Sequence, residues 1–115
     1  MQYMLLIYGD ENARGAATKE QMSQMYAAYG AYTDAMKKAG VFKAGDPLEA
    51  SSAATTVRAP EGKTKVLNGP YAETKEQLGG YYLIEAADLD SALSWAARCP
   101  GAQVGSIEVR PVRPM

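Results

Sequence analysis

The sequence has no histidine, a single cysteine and no long apolar run, and each lack excludes a class of protein. Without histidine, the chain lacks the side chain that most often serves as a general base near neutral pH and as a metal ligand. The lone cysteine, Cys99, cannot form a disulfide within the chain, which predicts a reducing, cytoplasmic location. The apolar run at residues 3–8 is too short to span a membrane, and no basic segment precedes it. We therefore expect no metal, no cofactor and no membrane association.

The charge and the length of the chain restrict its class further. Twelve lysine and arginine residues stand against thirteen aspartate and glutamate residues, which gives a net charge of −1. Because there is no basic field and no recognition helix in the pattern, direct binding to nucleic acid is not expected. A length of 115 residues and a hydrophobic content of 47% fit a single domain, residues 1–115, that buries its own core.

The N-terminal part predicts a strand followed by a long amphipathic helix. Residues 2–8 are apolar on both alternating faces, which is typical of a strand covered on both sides. Residues 9–17 are interpreted as a polar loop. Thr18 and Gln21 then fit a capping box, in which each side chain satisfies a backbone group at a helix start. The helix, about 19–39, carries a predicted core stripe consisting of Met22, Met25, Tyr26, Tyr29, Tyr32, Thr33 and Met36.

The rest of the chain predicts five more strands and a second helix. The strands are expected at 41–48, 53–59, 64–67, 80–86 and 105–112, the second and third of them forming a hairpin. Asp88 caps the second helix, and Pro100 and Gly101 end it. Its predicted inner face consists of Leu89, Ala92, Leu93 and Ala96. Cys99 is interpreted as a half-buried structural thiol, and Pro111 indicates that the last strand lies at a sheet edge.

This order of elements predicts an α+β, ferredoxin-like fold with a split βαβ plan. An antiparallel sheet carries two helices on one face and an inserted hairpin, so the other face has no cover. One apolar face of the first strand must point there, together with Tyr81 and Leu83. Monomers rarely leave an apolar face of this size exposed. We therefore predict a homodimer in which two copies pack sheet to sheet.

The most distinctive stretch is residues 68–82, which read N-G-P-Y-A-E-T-K-E-Q-L-G-G-Y-Y. Asn68, Gly69 and Pro70 are turn residues in their simplest interpretation. Glu73 is the candidate general base, provided that burial raises its pKa. Lys75 can hold a substrate anion or pair with a carboxylate. The charged side chains here otherwise form an ordinary solvated surface, and the turn before them favours a cleft.

Two arginines and three tyrosines complete the candidate ligand site. Arg58 and Arg110 alternate along their strands with Val57 and Val109, which are expected to face the helices, so both arginines are expected on the uncovered side of the sheet. There they either clamp an anion or form ion pairs across a dimer interface. The candidate carboxylate partners are Glu85 and Glu108. The candidate pocket walls are Tyr8, Tyr71 and Tyr81.

The chain resembles the YCII-related superfamily, in its DGPF branch, over nearly its whole length. The resemblance is carried by N-G-P-Y-A-E-T-K-E-Q-L-G-G-Y-Y-L-I-E, by D-L-D-S-A-L-S-W-A-A-R-C-P and by G-S-I-E-V-R-P-V. It implies a ferredoxin-like fold that dimerises as an α/β barrel. It also implies a link to sigma-factor-associated regulation, because members often lie beside extracytoplasmic-function sigma factors, and it assigns no reaction to the branch.

Two departures from the family pattern affect the chemistry. The Asp-Gly-Pro-Phe motif reads Asn68-Gly69-Pro70-Tyr71 here, and an asparagine cannot titrate. YciI-type relatives carry a His–Asp pair proposed to be active, and a chain without histidine cannot use such a pair. The resemblance therefore carries over the loop and not the mechanism.

Two functions remain open on the sequence. The first is a regulatory or binding protein, a homodimer that holds a small molecule or a partner in an interface cleft. The alternative is a cofactor-independent enzyme that transfers a proton on a small carboxylate-bearing or cyclic substrate, with Glu73 as its base. A pocket around the charged residues of the loop favours a small-molecule function, whereas a fully solvated loop argues against catalysis.

Overall fold

The computed structural model describes residues 1–115. Six strands and three α-helices follow one another along the chain, with single 3₁₀ turns between some of them. The strands are β1 (Gln2–Gly9), β2 (Phe42–Pro47), β3 (Thr55–Arg58), β4 (Lys65–Asn68), β5 (Gln77–Glu85) and β6 (Ser106–Pro111). The helices are α1 (Glu11–Gly15), α2 (Lys19–Lys38) and α3 (Leu89–Arg98). None of the three combines the length and the apolar character that a membrane crossing needs.

Four strands form an antiparallel sheet in the order β2-β5-β1-β6. The central strands β1 and β5 pair along their whole length, from Gln2 opposite Glu85 to Gly9 opposite Gln77. Strand β6 lies at an edge, as Pro111 indicates, since proline cannot donate a hydrogen bond to a neighbouring strand. With α2 between β1 and β2 and α3 between β5 and β6, the predicted ferredoxin-like α+β fold is confirmed.

Both long helices begin at the caps that the sequence indicates. The Thr18 hydroxyl accepts the N–H of Gln21 at 3.1 Å, and the Gln21 side chain accepts the N–H of Thr18 at 2.9 Å. The Asp88 carboxylate accepts the N–H of Ser91 at 2.8 Å. These bonds satisfy backbone donors that a helix start leaves without partners, so the polar caps fix where each helix begins.

The core lies between the two long helices and one face of the sheet. On that face the Tyr82 ring meets the Tyr32 ring edge-on, with centroids 5.5 Å apart. The Tyr32 hydroxyl donates to the Trp95 carbonyl at 2.7 Å, which joins α2 to α3. The buried cluster consists of Tyr3, Leu5, Ile7, Tyr32, Met36, Tyr82, Ile84, Ala86, Ala92, Ala96 and Cys99. Cys99 is fully buried, rather than half-buried as predicted.

The helices bury less of their predicted faces than the pattern indicates. In α3, Ala92 and Ala96 are buried, but Leu89 and Leu93 are exposed, because the helix contacts the core through its small side chains and leaves the leucines at the margin. In α2 the predicted stripe is buried only in the C-terminal half. Its exposed members are Met25 and Tyr26.

Residues 9–17 were predicted to be a loop, and this prediction is wrong for α1. The Asp10 carboxylate accepts the N–H of Asn12 at 2.9 Å and caps this five-residue helix. No residue of α1 is buried, so the helix leaves no apolar periodicity in the sequence.

The second face of the four-stranded sheet is uncovered, as predicted, and is called the open face below. Its half-buried apolar members alternate with the core residues of β1 and β5: Met4, Leu6, Tyr8, Tyr81 and Leu83. Its charged members lie opposite them on neighbouring strands: Asp46, Glu108 and Arg110. The molecule measures 46 × 43 × 19 Å, and the smallest extent fits one helix layer on one sheet.

Strands β3 and β4 form a separate two-stranded sheet, called the arm below. Val57 lies opposite Val66, and the two side chains are 59% and 60% exposed. The prediction that Val57 faces the helices is therefore wrong, and Arg58 is not on the four-stranded sheet. A hairpin pattern predicts that two strands pair but does not predict which layer they join.

Candidate functional site

The loop of residues 69–76, called the signature loop, joins the arm to β5. Gly69 has a φ of +115°, which glycine adopts without the penalty of a side chain. Its N–H donates to the Ala54 carbonyl at 2.7 Å, and its carbonyl accepts the Thr56 hydroxyl at 2.9 Å. The start of the loop is thus fixed to the base of the arm.

The end of the signature loop is held by Gln77, the first residue of β5. Its side-chain amide donates to the Thr74 carbonyl at 2.6 Å, and its side-chain oxygen accepts the N–H of Glu11 at 3.0 Å. The Thr74 hydroxyl in turn donates to the Glu76 carbonyl. One glutamine therefore connects the loop to α1 across 66 residues of sequence.

Glu11 fixes the opposite wall of the site. Its carboxylate accepts two hydrogen bonds from Ser51, from the N–H at 2.6 Å and from the hydroxyl at 2.7 Å. The 3₁₀ turn Ser51–Ala53 is thereby held against α1, on the same helix that binds Gln77. Charge-assisted hydrogen bonds of this kind are stronger than neutral ones, so the wall is well anchored.

A cleft of about 330 Å³ lies between this turn and the signature loop. Its lining residues are Ser51, Ser52, Pro70, Ala72, Glu73, Thr74 and Gln77. Three hydroxyls, an amide and one carboxylate offer both donors and acceptors to a small polar ligand. No three His, Cys, Asp or Glu side chains come together in the chain as a metal ligand set would.

A second group of polar side chains lies on the open face. The Tyr81 hydroxyl donates to the Asp46 carboxylate at 2.7 Å, and this hydrogen bond raises the pKa of Tyr81 above its usual value. At the edge of the sheet, the Arg110 guanidinium pairs with Glu108 at 2.5 Å. Arg110 is thus occupied within its own strand and does not line the cleft.

One known protein family matches the chain over its whole length. The YCII-related domain model matches residues 1–115. The chain belongs to the YCII-related family. An uncharacterized protein of Rhizobium meliloti (strain 1021) is 42% identical over 118 residues, which cover 97% of this chain and 92% of that protein.

The YCII-related chain also resembles a solved enzyme in fold. This is 5-chloro-2-hydroxyhydroquinone dehydrochlorinase of Burkholderia phenoliruptrix, in complex with 2,5-dihydroxybenzoquinone. The TM-score is 0.55 at 17% sequence identity, and the match covers 98% of this chain and 94% of the enzyme. At this identity the likeness supports the fold alone.

The candidate site residues of this YCII-related protein fall into two groups. One group surrounds the signature loop: Arg58, Asn68, Tyr71, Glu73 and Lys75. The other lies on the open face: Tyr8, Tyr81 and Arg110. Only Glu73 of the eight lines the cleft, and it is exposed rather than buried as a general base requires here. The Arg58 guanidinium lies 5.7 Å from the centre of the exposed Tyr71 ring, so the arm and the signature loop are in contact there.

The sequence did not reveal most of the polar groups that form the cleft. Glu11, Ser51 and Ser52 come from segments that read as loop, and Gln77 lies inside the signature without any charge to distinguish it. The double serine at 51–52 beside a Pro-containing strand end is a weak turn signal. Only the tertiary fold brings these side chains to the signature loop.

Proposed function

We propose that this YCII-related protein is a cytoplasmic homodimer that binds a small polar, ring-shaped molecule in the cleft beneath the signature loop. The cleft carries the proposal, because the signature loop forms one of its walls and is fixed at both ends by hydrogen bonds. Five of its seven lining residues have polar side chains, with one carboxylate at Glu73. Such a set favours a ligand with hydroxyl groups, which donate to Glu73 and to the Ser51 and Thr74 oxygens and accept from the Ser52 hydroxyl, since Ser51 and Thr74 already donate within the chain.

The family's DGPF branch gives the biological setting of the proposal. The Asn68-Gly69-Pro70-Tyr71 sequence stands where that branch has Asp-Gly-Pro-Phe, and we include a sigma-factor-associated regulatory role on this ground. Asn68 supports binding over acid–base chemistry, because an amide forms hydrogen bonds without transferring a proton. A role in regulation predicts that ligand binding alters the association of the protein with a partner.

The test of binding is a ligand panel followed by thermal denaturation and calorimetry. Dihydroxylated rings and small carboxylic acids come first, since the dehydrochlorinase of the same fold is in complex with a dihydroxybenzoquinone. We expect a saturable rise in the melting temperature that Glu73→Gln reduces at least about tenfold in affinity. Glu20→Gln, an equal charge change on the exposed start of α2, is the matched control. If no member of the panel raises the melting temperature, the proposal is contradicted.

A second candidate function is proton transfer on the same ligand. It rests on Glu73, which is exposed but lines the cleft together with the Ser51, Ser52 and Thr74 hydroxyl groups. Incubation of each bound ligand in D₂O distinguishes the two functions by mass spectrometry. An enzyme exchanges a carbon-bound proton at a rate that Glu73→Gln abolishes, whereas a binding protein leaves the ligand without deuterium on carbon.

A further inference from the structure

The guanidinium of Arg14, the basic residue of α1, lies on the backbone of β5 at Gly79. A Cβ atom built on Gly79 would stand 2.8 Å from one terminal nitrogen of Arg14 and 3.3 Å from the other. The first of these distances is shorter than a Cβ atom tolerates. The guanidinium therefore occupies the space that a side chain at position 79 would fill.

The two neighbouring glycines of β5 serve different purposes. A Cβ atom on Gly80 would come within 3.1 Å of the Asp46 carbonyl oxygen, so Gly80 allows β2 and β5 to pack closely. For Gly79, the three atoms nearest to such a Cβ atom all belong to Arg14. The backbone does not require glycine there either, because the glycines with a positive φ lie elsewhere in the chain. What Gly79 provides is room for Arg14.

The charge of Arg14 has no carboxylate partner. Neither of the two ion pairs of the chain involves it. Glu11, one turn earlier on α1, directs its carboxylate to Ser51 instead. Arg14 is exposed, so its N–H donors are open to a ligand. A planar guanidinium with several donors matches the geometry of a carboxylate and can bind both of its oxygens.

Arg14 lies beside the cleft rather than in its lining. Gln77 lines the cleft, and Gly79 follows it by two residues on the same strand, a distance of about 7 Å. The Gly79 carbonyl accepts the N–H of Leu48 at 2.9 Å, three residues before the cleft wall at Ser51. A ligand held in the cleft therefore reaches Arg14 with a group that extends beyond the lining along β5.

We propose that Arg14 binds an acidic group of the ligand, so that the molecule in the cleft is a hydroxylated ring carrying a carboxylate at its far end. The hydroxyls lie in the cleft with Glu73, and the carboxylate extends to the guanidinium on Gly79. The inference rests on the proposed function and adds the charge of the ligand and the residue that selects it.

The two arginines that the sequence favours for this role have other contacts. Arg110 pairs with Glu108 on its own strand, and the Arg58 guanidinium lies over the Tyr71 ring. Arg14 has no apolar periodicity or charged motif around it in the sequence. Its role follows only from the position that the fold gives it over Gly79.

Calorimetry with two matched probes tests the inference on the full chain. The probes are 3,4-dihydroxybenzoate and 3,4-dihydroxybenzamide, which have the same hydroxyls and similar size but differ in charge at the opposite end of the ring. We expect the benzoate to bind at least about tenfold more tightly, since a hydrogen bond between charged groups contributes more than a neutral one. Arg14→Gln is expected to bring the two Kd values within about twofold of each other and to leave the Kd of the benzamide unchanged.

Gly79→Ala moves the guanidinium without changing any charge. Its methyl group takes the space of the Arg14 nitrogens, so we expect the preference for the benzoate to fall at least about threefold. Arg14→Lys keeps the charge but loses the planar fork, and an intermediate preference is expected even if Gly79→Ala does not fold. Lys38→Gln, the same charge change as Arg14→Gln at the exposed end of α2, is the control and should keep the full preference.

The outcomes separate this inference from the proposed function. If both probes bind with equal Kd, or if the preference survives in Arg14→Gln, the role of Arg14 is overturned while the cleft stands as a binding site. A preference that is lost in Lys75→Gln and kept in Arg14→Gln assigns the anion to the signature loop and overturns the inference as well. If neither probe binds, the ligand class named here is overturned, and the proposed function then depends on the uncharged members of the panel.

Discussion

Strands β5 and β4 are similar in chemistry but differ in burial. Tyr82 and Ile84 of β5 are 8% and 0% exposed, whereas Val66 and Leu67 of β4 are 60% and 54% exposed. Both strands are antiparallel-paired and carry side chains that favour strands. The difference is the helix layer that covers one face of β5. Pairing makes a ribbon, but burial of apolar area, at about 25 cal/mol per Å², supplies most of the stabilising free energy.

The largest expected effect comes from truncating the same kind of side chain in the two regions. Leu5→Ala removes a fully buried side chain from β1 and leaves a cavity, so we expect a loss of about 2–5 kcal/mol in the free energy of unfolding. Val66→Ala, on the exposed arm, is expected to cost no more than about 0.5 kcal/mol in the monomer. Chemical denaturation at low protein concentration measures both values.

The same pair of variants also tests whether the arm belongs to the core of its own chain. We expect the cost of Leu5→Ala to be at least about fourfold that of Val66→Ala. Equal costs for the two variants in the monomer would show that the arm is packed within its own chain.

Alkaline pH is expected to weaken the core and leave the arm unaffected. Burial raises the pKa of the Cys99 thiol and of the Tyr29, Tyr32 and Tyr82 hydroxyls. The folded state then holds protons that the unfolded state releases. Stability is therefore complete below the unfolded pKa values, about 8.5 for cysteine and about 10 for tyrosine, and falls as the pH rises above them. Each group contributes a slope of up to about 1.4 kcal/mol per pH unit.

The variant Tyr32→Phe sharpens this expectation. It removes one of the buried hydroxyls. The unfolding free energy above about pH 10 therefore falls less steeply, by up to about 1.4 kcal/mol per pH unit, which is the contribution of one proton. At neutral pH it also loses the hydrogen bond to the Trp95 carbonyl, at a cost of about 1 kcal/mol. Tyr71→Phe, at an 80% exposed ring, is the control and should leave the slope unchanged. Parallel slopes for all three proteins would mean that Tyr32 gains no protection from burial.

The sequence predicted the fold well because its signals are local. Thr18 and Asp88 mark helix starts through bonds to residues three positions on, and alternation along β1 assigns its two faces. The arm was predicted as a hairpin but not as a separate sheet. The pairing of Val57 with Val66 depends on residues close in sequence, whereas the layer that a hairpin joins depends on contacts with distant parts of the chain. The cleft was mostly missed for the same reason: Glu11 and Ser51 meet over 40 residues, with no pattern in either segment.

The smallest expected effects come from one hydrogen bond lost in each region. Asp88→Ala removes the cap of α3, which packs on the core, so we expect the whole domain to lose about 1 kcal/mol of unfolding free energy. Thr56→Val removes the hydrogen bond to the Gly69 carbonyl, which makes a similar net contribution to the free energy of unfolding, about 1 kcal/mol. Because the arm has no core behind it, this loss is expected to remain local and to leave the midpoint of global unfolding unchanged in the monomer. Hydrogen exchange at the Gly69 N–H should become faster in Thr56→Val and not in Asp88→Ala. A shift of the global midpoint by Thr56→Val would show that the arm unfolds together with the core, which would remove the distinction between the two regions.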